Sequence, residues 1–218
     1  MLREIYAANL ATLARAPGFC IQLGIRLYRI PSGIFPFADD PTGVPLLEEI
    51  ENGLATIGRG ADALGVCLVM HPNQFVVLNS ESGAVVANSL RILAMHGRIA
   101  LENDESRYDA EEILAICKDA GVPMVFDAHH HVCFRQLDSY EHPSIAEFTA
   151  AAARTWPDPA WQLVHIANGR DALTDRRHAD DITVMPSAYA RAPWIEVEAK
   201  GKEQAIARLQ REWLVNLR

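Results

Sequence analysis

The sequence has no run of about 18 apolar residues free of charge, so no membrane-spanning helix is expected. Its first residues, Met1-Leu-Arg-Glu-Ile-Tyr6, carry an acid early and lack a signal-peptide profile. There is no CxxC pair among Cys20, Cys67, Cys117 and Cys133. Cys67 and Cys117 stand among apolar neighbours and are expected as buried free thiols, which suits the reducing cytoplasm. No low-complexity stretch or domain-sized linker interrupts the 218 residues, so one domain over 1–218 is expected. Basic residues are the minority, 20 Lys and Arg against 28 Asp and Glu, for a formal charge of −8. That balance argues mildly against non-specific nucleic-acid binding. Carboxylates gathered around metal ions would also contribute negative charge, which the bound cations neutralise.

Half of the residues are hydrophobic, ample for a core. Helical and extended segments alternate. Helices are expected over Leu2–Ala14, Leu46–Leu64, Ala84–Leu93, Asp109–Ala120, Ser144–Arg154 and Gln204–Trp213. Ser144 with Glu147 has the spacing of a capping box. Strands are expected over Ile25–Ile30, Val66–Met70, Arg98–Leu101, Val122–Phe126, Trp161–Val164 and Trp194–Val197. Such alternation implies parallel strands joined by right-handed crossovers.

Polar residues at the strand ends narrow the choice of fold. His71, Glu102, Asp127 with the three following histidines, His165 and Glu198 each stand at the carboxyl end of an expected strand. In a TIM-type (β/α) barrel these ends open onto one face, where ligands could enclose divalent ions. An open sheet would concentrate its site near a switch point instead. The ring pattern favours an α/β barrel. Mixed histidine and carboxylate donors suit Mn²⁺, Zn²⁺ or Fe²⁺ better than Mg²⁺ or Ca²⁺. Strict alternation would set His129 and His131 on the face of Asp127.

His71-Pro-Asn-Gln-Phe75, Leu101-Glu-Asn-Asp-Glu105, Phe126-Asp-Ala-His-His-His131, His178-Ala-Asp180 and Glu198-Ala-Lys-Gly-Lys-Glu203 occur in this order. Together with Arg26-Leu-Tyr-Arg-Ile-Pro-Ser32, they resemble the UV damage endonuclease (UvdE) family over nearly the whole chain. The resemblance implies a barrel that nicks damaged double-stranded DNA 5′ of ultraviolet photoproducts, using up to three divalent ions, typically Mn²⁺. It sets His71, Glu102, Asp127, His130, His165, His178 and Glu198 on metal-ligand positions. Within that set Glu102, Asp127 and Glu198, joined by Lys200, would serve catalysis. Gln74 and Phe75 match positions that probe the damaged pair, and Lys200 and Lys202 are placed to meet phosphate. The resemblance selects His130, which requires the strand to end near Asp127, with His129 as the alternate ligand.

Four departures from the family pattern stand out. The family's first strand has no counterpart here, and neither does a helix–strand–helix stretch at about His96 to Arg98. Leu163 replaces a lysine that can be carboxylated to bridge metals. Asp40, within Phe37-Ala-Asp-Asp-Pro41, replaces a histidine ligand and could still hold a metal. A ring short of two strands would be an incomplete six-stranded barrel or an open sheet, which bears on catalytic competence. Two other readings suit the same pattern: a metal-dependent sugar isomerase or epimerase, or a shortened, non-catalytic paralogue that binds DNA or a partner.

Overall fold

The structure, a computed structural model, describes residues 1–71, 80–93 and 99–212. Its contacts form two compact units, Met1–Gly97 and Arg98–Arg218.

The first unit holds α1 (Leu2–Gln22), β1 (Leu27–Ile30), α2 (Val44–Ala63), β2 (Cys67–Met70) and α3 (Gly83–Leu93). β1 and β2 pair in parallel, from Leu27 opposite Cys67 to Ile30 opposite Met70. Helix α1 runs well past Ala14, with Pro17 inside it. Tyr6, Leu13, Pro17 and Cys20 continue one buried face at helical spacing. Burial of that face offsets the roughly 3 kcal/mol that an interior proline costs. Cys20, Ala61 and Val66 form a small core packed by Ile21, Ile25, Tyr28 and Leu68. Cys117 is buried as expected, but Cys67 is exposed. Successive strand residues point to opposite sides, and Val66 takes the inward position, so its neighbour turns out.

The second unit contains β3 (Leu101–Glu102), α4 (Ala110–Ala120), β4 (Met124–Asp127), α5 (Ala128–Arg135), α6 (Pro143–Ala153), β5 (Leu163–Ile166), β6 (Trp194–Val197) and α7 (Lys202–Glu212). Its strands form one parallel sheet in the order β3-β4-β5-β6. Sequential order with a helix before each of β4 and β5 follows from crossover connections. Phe126, Val164 and Ile166 are fully buried in a core shared with Ile113, Leu114 and Cys117 of α4 and Ile145 and Ala152 of α6.

Local signals explain where these elements start and stop. Asp109 and Glu112 form a reciprocal capping box at the start of α4, and Gly121 ends it in the left-handed conformation at φ 66°. The expected cap at Ser144 is replaced by His142, followed by Pro143 at the first helical position. Proline is pre-organised for that position, so the helix begins one residue earlier. β5 starts at Leu163 rather than Trp161, because Asp158 caps a short 3₁₀ turn over Pro159–Trp161. Among the described residues no helix is long and apolar enough to cross a membrane.

Candidate metal centre

Parallel strand order gathers Glu102, Asp127, His165 and Glu198 at one edge of the second unit's sheet. β3 ends on Glu102, β4 ends on Asp127, β5 carries His165, and Glu198 follows β6. Asp127 stands opposite His165 in the β4–β5 register. Asn103 fixes the β3–β4 junction beyond the short ladder. Its amide nitrogen donates to the Asp127 carbonyl at 2.9 Å, and its amide oxygen accepts the Asp127 N–H at 2.9 Å.

Asp127 ends the strand and caps α5, accepting the His130 N–H on Oδ1 at 2.8 Å. The helical turn separates the three histidines. His130 turns its Nδ1 to within 2.8 Å of the Asn103 carbonyl and 3.3 Å of Glu102 Oε1, and its Nε2 lies 3.6 Å from Glu105 Oε2. His129 is fully buried, with Nδ1 2.7 Å from the Tyr140 hydroxyl and Nε2 3.0 Å from the Asp175 carbonyl. Both its nitrogens are therefore engaged away from the carboxylates. His131 packs on Phe126 and Phe148 and meets the Ser144 hydroxyl at 2.9 Å.

Across the sheet, His165 Nδ1 lies 3.1 Å from Glu102 Oε1 and 3.7 Å from Glu198 Oε1. Its other nitrogen, Nε2, lies 3.2 Å from Oε2 of Glu196. His178 reaches Glu198 Oε2 at 3.9 Å from a loop pinned by a bridge between Gly169 and His178. Among the described residues, three sets of donor atoms each lie within 4.8 Å of one another: His130, His178 and Glu198; Glu102, Asp127 and His130; Asp127, His165 and Glu198.

Electrostatics reflect this crowding. Burial disfavours charge on His130, yet Asp127 and the adjacent Glu102 carboxylate push its imidazole up to about 10. His165 is likewise raised well above its ordinary value against its burial, chiefly by Glu102. Burial alone would raise Glu102, but His165 and His130 hold it well below the usual carboxylate range. Asp127 Oδ2 is fully buried with no hydrogen-bond donor, and His130 Nδ1 lies 4.0 Å from it. A buried carboxylate oxygen left without a donor is costly. A divalent cation would satisfy it, and the surrounding imidazole and carboxylate donors fit one.

Lys200 and Lys202 are exposed beside this edge. Their loop is held by Lys200 N–H donating to the Ala179 carbonyl at 3.0 Å and Gly201 N–H to the Asp180 carbonyl at 2.8 Å. A Cβ at Gly201 would sit 2.6 Å from that Asp180 oxygen, so the close approach requires glycine. His71 and Asp40 belong to the first unit. His71 is exposed just after β2; Asp40 is exposed, with Oδ1 accepting the Thr42 N–H at 2.8 Å. Neither enters the three donor sets. Gln74 and Phe75 lie outside the described residues.

Sequence reasoning overlooked Asn103, Glu105, Glu196 and Tyr189. The Tyr189 hydroxyl lies 3.0 Å from the carbonyls of both Phe126 and His165 and accepts the Ala128 N–H at 3.0 Å, which ties β4 to β5 beneath the site. Glu196 had a legible signal, since it lies two residues before Glu198, whose N–H continues the pairing beyond β6 onto the Ile166 carbonyl, so the two share a face.

A family model described as UV-endonuclease UvdE matches residues 1–99 and 95–217. The UV DNA damage endonuclease of Nostoc sp. is 44% identical over 258 residues, covering 98% of this chain and 80% of that protein. That of Deinococcus radiodurans is 39% identical over 254 residues, covering 96% and 83%. Both alignments are longer than this chain, so the relatives carry segments without a counterpart here. The crystal structure of SacUVDE superposes with a TM-score of 0.80 at 22% identity, covering 99% of this chain and 89% of that one. That likeness speaks for the fold: the α/β, TIM-barrel-type fold expected from the sequence.

Proposed function

The chain belongs to the UV-endonuclease UvdE family, and from that premise we propose that it is a metal-dependent DNA repair endonuclease that incises damaged duplex DNA 5′ of UV photoproducts. The observation that carries this reading is that Asp127, whose buried Oδ2 accepts no hydrogen bond, shares one set of donor atoms with Glu102 and His130 and another with His165 and Glu198.

Glu102, Asp127 and Glu198 would hold divalent ions with His130, His165 and His178, Mn²⁺ being the ion the family resemblance implies. Held there, such ions would supply a water of lowered pKa and positive charge to offset the negative charge developing on the phosphate and the leaving oxygen. The protein's own groups position the reaction. Asn103 and the α5 cap fix Asp127 and His130, and Tyr189 sets the spacing between the ends of β4 and β5. Lys200 and Lys202 would meet the DNA phosphates and offset the negative balance of the chain. Gln74 and Phe75 would enter the duplex where damage has weakened stacking. By the family resemblance alone, Asp40 and His71 are further candidate ligands, while Leu163 supplies no donor. The reading keeps the protein in the cytoplasm, with damaged double-stranded DNA as its partner.

The test is an end-labelled duplex carrying one photoproduct, incubated with the protein and Mn²⁺ or with EDTA. A metal-dependent nick 5′ of the lesion, absent from undamaged duplex, is expected. Intact duplex after incubation with folded, metal-loaded protein would replace catalysis by binding as the function.

A further inference from the structure

Glu196 is a buried carboxylate that stands outside every set of ligating atoms, yet it faces one of their members. It is 6% exposed and His165 is 5% exposed. The β5–β6 register sets the two residues opposite one another. In a parallel pair, residues in register project to the same face, so Glu196 approaches the imidazole from the side. The distances show the result: Glu196 Oε2 lies 3.2 Å from Nε2, while Nδ1 faces Glu102 Oε1 at 3.1 Å and Glu198 Oε1 at 3.7 Å.

A neutral imidazole has one N–H and one lone pair. An ionised carboxylate accepts only, so the contact at Nε2 is favourable when the proton resides there. That leaves the Nδ1 lone pair on the side of Glu102 and Glu198, available to an ion that these carboxylates would hold. A carboxylate on the far nitrogen also makes the ring a stronger donor and stops it from rotating. With Leu163 one layer below His165 on the same strand face, the apolar floor under the ring offers no competing acceptor.

We propose that Glu196 is a positioning residue that holds His165 as the Nε2–H tautomer, with Nδ1 presented to the metal. The proposal rests on the metal-centre reading above.

Mn²⁺ titration calorimetry on the full chain, comparing wild type, Glu196→Gln, Glu196→Leu and His165→Ala, tests it. Glutamine keeps an acceptor oxygen without charge, and leucine keeps volume without an acceptor. Mn²⁺ affinity is expected to fall about tenfold in Glu196→Gln and toward a hundredfold in Glu196→Leu, the range for outer-shell partners. In protein loaded with diamagnetic Zn²⁺, ¹⁵N-histidine NMR should show a slowly exchanging Nε2–H, missing in His165→Ala and broadened in Glu196→Gln. Wild-type Mn²⁺ affinity and an unchanged Nε2–H signal in Glu196→Gln, which should fold, would overturn the proposal. Failure of the wild type itself to bind Mn²⁺ would instead refute the metal centre on which it rests.

Discussion

The Asp127 carboxylate accepts the His130 N–H at 2.8 Å, so one side chain both caps α5 and sets which histidine faces Glu102. Oδ1 is occupied by the cap, and Oδ2 is left buried and free to meet a cation. The cap turns His129 a further 100° or so around the helix, into Tyr140 and the Asp175 carbonyl.

His130 and His129 should therefore fail in different ways. His130→Ala is expected to weaken Mn²⁺ binding by at least about tenfold with a folded core. His129→Ala is expected to leave affinity within about threefold and to cost roughly 2 kcal/mol of stability, because Tyr140 and the Asp175 carbonyl lose a buried partner. Titration calorimetry and urea melts separate the two, and the reverse pattern would make His129 the ligand.

Metal binding should release protons. Without metal the His130 imidazole titrates at about 10, so it stays protonated through neutral pH. A metal ligand must be neutral, and binding below about pH 10 has to expel that proton. Because its value is raised above the unfolded one of about 6.5, the charged ring stabilises the metal-free fold below about pH 6.5. That contribution is lost as pH rises toward 10. Mn²⁺ affinity should thus climb between about pH 6.5 and 8.5, with buffer-dependent heats in calorimetry. Flat affinity over that range would contradict the assignment.

Tyr189 should matter through its hydroxyl alone. Tyr189→Phe removes a group shared by the Phe126 and His165 carbonyls and the Ala128 N–H, all in the interior. Urea denaturation should show a loss of about 1–3 kcal/mol for the buried backbone groups left unpaired. An unchanged midpoint would mean that the hydroxyl ties nothing together.

Lys200 and Lys202 should act on DNA affinity rather than on the fold. Each phosphate contact contributes a slope of about −0.9 in log K against log salt. Changing both to Ala should therefore flatten the slope by up to about 1.8 and leave the melting temperature within a few degrees. An unaltered slope would assign them to solvent.

Much of this centre could be read from one period-two pattern: polar residues recur where apolar strands end, and parallel strands bring those ends together. The local choice among His129, His130 and His131 could not be read that way, because alternation applies only while the strand continues. Asp127 stops it, and helical geometry takes over. Glu196 escaped for the opposite reason. It sits inside the strand, one step below Glu198, where an apolar residue is the ordinary expectation and only the register with His165 shows its partner. Cys67 looked buried among apolar neighbours, yet strand alternation turned it out once Val66 entered the small core. The cap at Ser144 yielded to His142 because Pro143 fixes the first helical residue.

Whether the Glu102 centre cuts DNA is decided by incision of a labelled duplex with a single photoproduct, comparing wild type with Glu102→Ala in Mn²⁺. Glu102 Oε1 is met by both His130 and His165, so its loss removes the hub of the donor set. A nick 5′ of the lesion by the wild type and at least about a hundredfold slower nicking by the variant are expected. Equal nicking by both, or no nick from folded, Mn²⁺-loaded wild type, would contradict that role for Glu102.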